Sequence, residues 1–338
     1  MKTGPDNPDD SKPIKVPIED VLDLHTFSPK EIPSLLPEYL NACLEAKIYS
    51  VRIIHGKGKG FQKNRVRGLL KDLPIVAYFS DAPSQAGGWG ATIVELRREI
   101  AFESPEWAQL LDEGAKSMDM SLDRSQIVQF AAHATELMTW NRSTNLTAIT
   151  DPVEIAVKHF LDTLPVSSLL PSGSRLLDIG SGGGFPGIPL KILRPDLHVF
   201  LIDASRKKVS FQKHITSMLG LEDVETRHIR AEDLQKELQP ESRLYDVIVS
   251  KAVSRLDRFL YQAMPLLGRP GMLIAMKGPS VDTEIETARS VIEAEGLSVF
   301  MKKYRLPYLD IERRLVVFSN SSEGLDRGVV NDRHRVTI

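Results

Sequence analysis

Residues 176–187 have the sequence Leu-Leu-Asp-Ile-Gly-Ser-Gly-Gly-Gly-Phe-Pro-Gly, in which an apolar strand runs directly into a glycine-dense turn. The pattern predicts a helix from about Ile188. Glycines in such a turn allow unusual backbone dihedrals and let a ligand approach without a Cβ in the way. The amino terminus of the following helix favours a negatively charged group such as a carboxylate or a phosphate. This stretch therefore predicts a ligand site at the end of a strand.

The surrounding sequence alternates between strands and helices at a spacing typical of a doubly wound α/β sheet. Helix-spaced apolar residues predict helices at 125–140, 154–164 and 207–219. We predict five sheet strands and a closing antiparallel pair at Arg175–Ile179, Val199–Ile202, Val224–Ile229, Asp246–Ser250, Met272–Met276, Leu297–Lys303 and Arg314–Phe318.

Two classes of cofactor compete for the turn, because residues 182–187 also match the G-x-G-x-x-G fingerprint of dinucleotide-binding proteins. Asp178 favours S-adenosylmethionine, since a carboxylate at the strand end can receive an ammonium group, directly or through water, and would repel a pyrophosphate. Pro186 also argues against a nicotinamide cofactor, because it lacks the backbone N–H that a dinucleotide helix would offer. Asp203 ends the next strand and can accept hydrogen bonds from both ribose hydroxyls, which either cofactor supplies.

Ala231-Glu232-Asp233 follows the third predicted strand, where an adenine amino group can be recognised; an ordinary solvent-facing helix start is the alternative. Taken in order, Asp178, the glycine turn, Asp203 and Ala231-Glu232 predict a methyltransferase that uses S-adenosylmethionine.

Residues 129–318 also resemble the RsmG (GidB) family of 16S rRNA guanine-N7 methyltransferases. The shared motifs are Trp140-Asn, Asn145-Leu-Thr-Ala-Ile, Lys158-His-Phe-Leu-Asp162, residues 177–189, Ala231-Glu-Asp, Tyr245-Asp-Val-Ile-Val-Ser-Lys-Ala-Val and Ala275-Met-Lys-Gly278. The resemblance implies a Rossmann-like class I fold with a mostly parallel sheet and an antiparallel last strand. It places cofactor contacts at Gly180, Phe185, Asp203, Ala204, Ser205, Ala231, Glu232 and Lys251, to which the turn itself adds Asp178 and Gly182. The family usually has Arg where Lys251 stands, and Lys keeps the charge but loses the planar fork.

Methylation at guanine N7 requires alignment rather than a general base, because N7 has an in-plane lone pair and no proton. We therefore assign no acid or base residue. Candidates for orienting the substrate are Asn145, Thr147, His159 and Lys251, and Lys277 is a candidate for contact with RNA phosphate. Turn capping is the alternative for Asn145 and Thr147, helix packing for His159 and simple solvation for Lys277.

Residues 18–97 predict a separate, smaller α/β unit. It contains Leu22-Asp-Leu-His25, then His55-Gly-Lys-Gly-Lys-Gly60, then Gly87-Gly-Trp-Gly-Ala-Thr-Ile-Val94. These motifs, in this order, resemble the Smr (small MutS-related) family, whose members are linked to nucleic-acid binding and, in some cases, to endonuclease activity. Thr26 stands where the first family motif usually ends in Gly.

Residues 51–71 contain seven Lys or Arg residues and no acid. A glycine loop that enters a basic helix suits phosphate binding, and a solvated basic face is the alternative. We predict nucleic-acid contacts at Asp23, His25, His55, Lys57 and Lys59. The first three could also form an acid/base set for phosphodiester cleavage or have structural roles.

Composition narrows the classes of function. The formal net charge of −2 gives no global basic field, so nucleic-acid binding requires a local patch. Cys43 is the single cysteine, which excludes an internal disulfide, and no Cys/His cluster has zinc spacing, so no metal is expected. The absence of a membrane-length apolar run and of a signal peptide core predicts a soluble, cytoplasmic protein without a membrane partner.

These patterns predict a disordered lead-in at 1–17, an Smr-like domain at 18–97, a linker at 98–123, a methyltransferase domain at 124–320 and a polar tail at 321–338. The expected activity is S-adenosylmethionine-dependent methylation of guanine N7 in 16S rRNA or the small ribosomal subunit, assisted by the Smr domain. One alternative is a nucleic-acid-binding or nicking Smr protein whose methyltransferase half is inactive. A nicotinamide oxidoreductase is the other.

Overall fold

The chain forms two compact units that divide between residues 99 and 100 in a computed structural model. The structure describes residues 17–56, 58, 60–97, 100–239, 244–251, 255–309, 311–321 and 334–335. Within these ranges, no helix combines the length and the apolar character needed to cross a membrane.

The first unit is a four-stranded sheet in the order β1-β2-β4-β3, with two helices. Strand β1 pairs parallel with β2, and the other two pairs are antiparallel. Helix-spaced apolar residues of both helices are buried in one core with the strands, as amphipathic helices require. The elements are β1 (Val21–Asp23), α1 (Ile32–Glu45), β2 (Ser50–Ile54), α2 (Phe61–Asp72), β3 (Val76–Asp81) and β4 (Ala91–Leu96).

The second unit is built on an eight-stranded sheet in the order β12-β10-β11-β9-β8-β5-β6-β7. Strands β5 to β9 pair in parallel, and β11 is antiparallel to both β9 and β10. The strands are β5 (Arg175–Ile179), β6 (His198–Asp203), β7 (Val224–His228), β8 (Tyr245–Lys251), β9 (Leu267–Lys277), β10 (Ser298–Leu306), β11 (Ile311–Ser319) and β12 (His334–Arg335). The predicted fold class, including the antiparallel closing strands, is confirmed.

Successive residues of the central strands are buried on opposite faces of this sheet. Leu176 belongs to one hydrophobic core and Leu177 to the other, as the two-residue period of a strand requires. The helices are α3 (Pro105–Ser117), α4 (Arg124–Thr144), α5 (Pro152–Ile155), α6 (Leu164–Ser167), α7 (Gly187–Leu193), α8 (Arg206–Met218), α9 (Ala231–Lys236), α10 (Leu256–Ala263) and α11 (Asp282–Ala294). A parallel sheet of this kind binds ligands beyond the carboxyl ends of its strands.

We predict a linker and a short helix at residues 98–123, and within the described part of this segment the structure forms α3 (Pro105–Ser117). Ser104 caps α3 by accepting a hydrogen bond from the Trp107 backbone N–H. Trp107 and Leu111 are fully buried in the core of the second unit, where the Trp107 ring meets Phe160 edge-to-face at 5.8 Å. Residues 100–123 are therefore part of the second unit, because the apolar stripe of α3 has a core to pack against.

The predicted helix at 154–164 is interrupted. Between α5 and α6 the chain makes a π-helical turn at Ala156–Phe160 and a 3₁₀ turn at Leu161–Thr163. In the predicted polar tail, His334–Arg335 pair antiparallel with Phe300 and Met301. Residues 322–333 and 336–338, like residues 1–16 of the predicted lead-in, lie outside the described part of the chain.

Candidate active site

The glycine turn between β5 and α7 is fixed by hydrogen bonds from neighbouring elements. The backbone N–H groups of Gly180 and Ser181 donate to the Ile202 carbonyl of β6, at 2.9 and 3.1 Å. The buried Gln212 amide of α8 donates to Ser181 Oγ at 2.9 Å and to the Gly182 carbonyl at 2.8 Å. The turn is therefore shaped before any ligand arrives.

Two positions of the turn accept only glycine. Gly184 has φ +87°, and a Cβ there would lie 2.4 Å from Ile188 Cδ1. A Cβ on Gly187 would lie 2.3 Å from Leu201 Cδ2 and 2.9 Å from Asp178 Oδ2. The density of glycine in the sequence thus reflects both backbone conformation and close packing.

Two cavities open beside the turn, and Gly180 lines both of them. Cavity A has a volume of about 350 Å³ and is lined by the turn and by Lys158, His159, Asp162, Lys251 and Arg313, among others. Cavity B has a volume of about 280 Å³ and is lined by Asp203, Ala204, Ala231, Glu232 and Gln262, among others. A ligand that extends across Gly180 would occupy both cavities.

Asp178 lies behind the turn and is fully buried. Its Oδ2 accepts a hydrogen bond from the Gly187 N–H at 2.8 Å, whereas its Oδ1 has no hydrogen-bond partner among the described residues. Burial raises the pKa of Asp178 to about 7, against the opposing effect of the Gly187 hydrogen bond. An unsatisfied buried carboxylate oxygen suits a cationic group. Because the side chain is fully buried, a ligand would reach it through a bridging water or a shift of the turn.

Asp203 ends β6 and lines cavity B. Its Oδ2 accepts the Gly182 N–H at 3.0 Å and its Oδ1 accepts the Ser205 N–H at 2.8 Å. A carboxylate has about four lone-pair sites, so each oxygen keeps one for a ligand. The two backbone hydrogen bonds fix the carboxylate in a position to accept from a pair of hydroxyls.

Ala231 begins α9 and, with Glu232, lines cavity B. Gln262 of α10 donates from Nε2 to Glu232 Oε1 at 2.6 Å, and this hydrogen bond lowers the pKa of Glu232. Gln262 was not identified from the sequence, because 30 residues separate it from Glu232.

An aromatic stack supports the other side of the turn. The Phe185 ring lies nearly parallel to the rings of His133 and His159, at centroid distances of 4.7 and 4.3 Å. His133 Nε2 contacts the Gly183 carbonyl at 2.9 Å, and burial lowers the pKa of His133 to about 4. Burial also holds the pKa of His159 well below its usual value, with the charge of Lys251 acting in the same direction. Both rings are therefore neutral at physiological pH.

The remaining predicted orienting residues differ in their surroundings. Thr147 Oγ1 lies 3.0 Å from His159 Nε2 and accepts the Ile149 N–H at 3.0 Å, so it orients a ring that lines cavity A. Asn145 is exposed and has φ +51°, in the left-handed region. It is the residue that ends α4, as the alternative of turn capping predicts. Lys277 Nζ lies 2.8 Å from Glu284 Oε2, so a carboxylate already compensates its charge.

Asp162 is a site residue that sequence reasoning did not assign. Its buried carboxylate accepts hydrogen bonds from Tyr304 Oη at 2.6 Å and from Arg313 Nε and Nη2 at 3.1 and 3.0 Å. Lys251 Nζ lies 3.2 Å from Asp162 Oδ2 and also donates to the Lys158 carbonyl. Burial alone would raise the pKa of Asp162, but the charges of Lys251 and Arg313 hold it below its usual value. The signal in the sequence that could have identified Asp162 is the presence of an Asp within the largely apolar segment His159-Phe-Leu-Asp-Thr-Leu-Pro.

In the first unit, the structure brings Asp23 and His25 together but not His55. Asp23 Oδ1 accepts the His25 backbone N–H at 2.9 Å and lies 2.7 Å from His25 Nδ1, and both side chains are more than half exposed. The surroundings of His55 fit the structural alternative. The residue is 4% exposed, its Nε2 lies 2.9 Å from Thr92 Oγ1, and burial lowers its pKa. His55 therefore packs within the unit.

The basic helix α2 is partly neutralised by an acid that lies outside the run of basic residues. Lys63 and Arg67 lie 2.6 and 3.2 Å from Asp81 of β3. Lys63 Nζ also lies 4.3 Å from the centroid of the Trp89 ring, and Trp89 and Phe61 are 76% and 80% exposed. The predicted phosphate contacts Lys57 and Lys59 lie outside the described residues.

The sequence of this chain matches models of known families and individual known proteins. A sequence model described as "GidB: rRNA small subunit methyltransferase G" matches residues 126–311. The chain belongs to this family. A relative named ribosomal RNA small subunit methyltransferase G, from Geotalea uraniireducens, is 42% identical over 64% of this chain and 97% of its own length. Another of that name, from Geobacter metallireducens, is 40% identical over 64% of this chain and 98% of its own length.

A second domain model and a solved structure also match parts of the chain. A sequence model of the Smr domain matches residues 22–97 of this chain. A solved O-methyltransferase from Bacillus cereus is similar over 62% of this chain and 96% of its own, with 19% sequence identity and a TM-score of 0.45. Both resemblances found in the motifs, to the methyltransferase G family and to Smr domains, are confirmed.

Proposed function

We propose that this chain methylates N7 of a guanine in 16S rRNA or the small ribosomal subunit, with S-adenosylmethionine as the methyl donor. The observation that carries the proposal is the fixed glycine turn, with Asp178 behind it and Asp203 beside it, at the point where two cavities meet. Family membership supports the rRNA substrate. A ribosomal substrate would place the protein in the cytoplasm.

The residues present fit S-adenosylmethionine. Asp178 Oδ1, which has no partner among the described residues, suits the ammonium group, and the fixed Asp203 carboxylate suits the ribose hydroxyls. Ala231 and Glu232 would contact the adenine. Gly180, Gly182, Phe185, Ala204, Ser205 and Lys251 complete the proposed contact set. When bound, the cofactor supplies an electrophilic methyl group.

The groups in cavity A support transfer by alignment. Asp162, Lys251 and Arg313 are engaged with one another, and Lys158 lies 2.9 Å from Glu154. His159 is neutral, and Thr147 fixes its ring. Guanine N7 needs no base to remove a proton, so this wall has only to position the purine and exclude water.

Calorimetry with S-adenosylmethionine and Gly180→Asp tests the cofactor site, because a carboxylate at the junction of the cavities should abolish binding.

Mass spectrometry of small-subunit rRNA from cells that lack this gene should show the loss of one 7-methylguanosine. A full set of base modifications in those cells, together with no affinity for S-adenosylmethionine, would contradict the proposal. Binding of NAD instead would favour an oxidoreductase, and RNA binding or nicking without methylation would favour an inactive methyltransferase half.

We further propose that the Smr unit contacts nucleic acid and assists this reaction. Exposed Trp89 and Phe61 offer faces on which unpaired bases can stack, and Lys63 supports the Trp89 ring. Replacing Trp89 with Ala in the full chain should weaken binding to single-stranded RNA by roughly tenfold, given about 1–3 kcal/mol per stacked base. Tyr261→Ala removes an aromatic side chain that is 72% exposed in the other unit and is the control. Equal effects of both changes would contradict a stacking site.

A further inference from the structure

The carboxylate of Asp162 has no capacity left for a ligand. Its Oδ1 accepts from Tyr304 Oη and Arg313 Nε, and its Oδ2 accepts from Arg313 Nη2 and lies within ion-pair distance of Lys251 Nζ. Each oxygen therefore has two partners, which matches the about four acceptor sites of a carboxylate. Asp162 can act on a ligand only through the groups that it holds.

Those groups face cavity A. Arg313 and Lys251 both line it, with 17% and 13% of their side chains exposed. Burial lowers the pKa of Lys251, and the charges of Asp162 and Asp178 oppose that effect. Arg313 and Lys251 both have more N–H donors than they give to Asp162 and to the Lys158 carbonyl, so donors remain for a ligand. A buried ion pair adds little to stability compared with apolar packing. The arrangement therefore suggests a role toward a ligand in the cavity.

We propose that Asp162 is a positioning residue that holds Lys251 and Arg313 as a paired donor site for an electron-rich oxygen in cavity A. This inference rests on the proposed function, which provides two such oxygens. One is the carboxylate of the amino-acid portion of S-adenosylmethionine. The other is O6 of the target guanine, an acceptor at the position where adenine has an amino donor.

Arg313→Lys is the main test variant, because it keeps the charge but loses the two-pronged hydrogen bond to Asp162. Arg314→Lys is the matched control, since Arg314 is the next residue of β11 and pairs with Asp282 and Glu312 instead. Asp162→Asn is a second variant, used where a thermal melt shows that it folds, because breaking a buried pair is strongly destabilising.

The readouts are two ratios of kcat/KM in the full-length enzyme. The first compares S-adenosylmethionine with its decarboxylated analogue. The second compares small subunits that carry guanosine at the target position with subunits that carry 2-aminopurine riboside, which lacks O6. The unchanged chain and Arg314→Lys should prefer the oxygen-bearing partner by about 10- to 100-fold in one of the two pairs, as expected for a charge-assisted hydrogen bond.

In Arg313→Lys and Asp162→Asn, that ratio should fall to within about threefold of one. Collapse of the first ratio would identify the cofactor carboxylate as the ligand oxygen, and collapse of the second would identify guanine O6. The inference is overturned when kcat/KM falls without a change in either ratio, because a merely structural role lowers all activities together. It is also overturned when Arg313→Lys has no effect. Absence of guanosine methylation by the unchanged chain would instead refute the proposed function.

Discussion

Two glycine-rich turns of this chain each lead from a strand into a helix, and they are built differently. The turn between β5 and α7 contains no charged residue, and Ile202, Gln212 and His133 hold its backbone. The turn between β2 and α2 contains Lys57 and Lys59 in its sequence. A Cβ added to its Gly60 would meet no atom within 4 Å.

The difference shows that glycine density alone does not define a ligand class. In the second unit, glycine is needed where backbone, helix and strand pack closely, so the turn can select a ligand by shape. In the turn of the first unit, a Cβ on Gly58 or Gly60 would meet nothing within 4 Å, and only one on Gly56 would be close to a side chain, at 2.7 Å from His25 Nε2. The two lysines in the sequence of this turn suit a phosphate chain of variable geometry. Contacts and charge, rather than the motif, separate the two kinds of site.

The largest expected effect is that of replacing a glycine with alanine, which adds one methyl group to the turn. Gly184 and Gly60 have similar φ values of +87° and +82°, but only Gly184 is crowded. Gly184→Ala should lower the free energy of unfolding by about 2–5 kcal/mol, through backbone strain and overpacking together, and should abolish cofactor binding. Gly60→Ala should cost only about 1–2 kcal/mol. Chemical denaturation and calorimetry measure both changes, and equal losses would remove the distinction between the turns.

A smaller effect is expected from the protonation of Asp178, behind the turn between β5 and α7. Burial raises the pKa of Asp178 to about 7, and an ammonium ligand requires the ionised form. Affinity for S-adenosylmethionine should therefore rise by roughly fivefold between pH 6 and pH 7, because below this pKa a proton must first be released and the ligand's own amino group stays protonated over that range. Asp178→Asn should bind more weakly and give a flatter profile. An unchanged pH profile in that variant would separate Asp178 from the ligand.

The smallest expected effect concerns the turn between β2 and α2. Lys57→Ala with Lys59→Ala should lower affinity for single-stranded RNA by roughly fivefold near 0.3 M salt and reduce the salt slope by about 1.4, since each lost phosphate contact contributes about 0.7. Affinity for S-adenosylmethionine should not change. Lys302→Ala with Lys303→Ala removes the same charge from β10 and is the control. RNA affinity that does not respond to the first pair across salt concentrations would exclude the turn as a phosphate site.

The sequence was most informative where a site is local. Asp178, the glycine turn and Asp203 lie at the ends of adjacent strands, so their strand pattern predicted their proximity. The Asp162 network could not be found in this way, because 151 residues separate Asp162 from Arg313 and 142 separate it from Tyr304. The pairing of β10 with β11 sets Tyr304 opposite Arg313, and the 3₁₀ turn at Leu161–Thr163 brings Asp162 to both.

The histidines of the first unit show a second reason for incomplete prediction. His25 and His55 both follow a short strand and adjoin a motif, so the sequence treats them alike. Burial separates them: His55 contacts Thr92 of β4 across the sheet, whereas the His25 side chain is 56% exposed. A local pattern cannot show which residue is covered by a strand that lies 37 positions further along the chain.

The π-helical turn at Ala156–Phe160 has a consequence for how this unit tolerates changes in length. A π turn holds one residue more than the α-helical winding on either side of it. Removing that extra residue would leave the winding on either side in register, because the π turn accommodates it locally. Deleting a further residue before Asp162 would instead rotate Asp162 by about 100° around the helix axis, away from Arg313. The register of this segment therefore matters to cavity A as much as the identity of its residues.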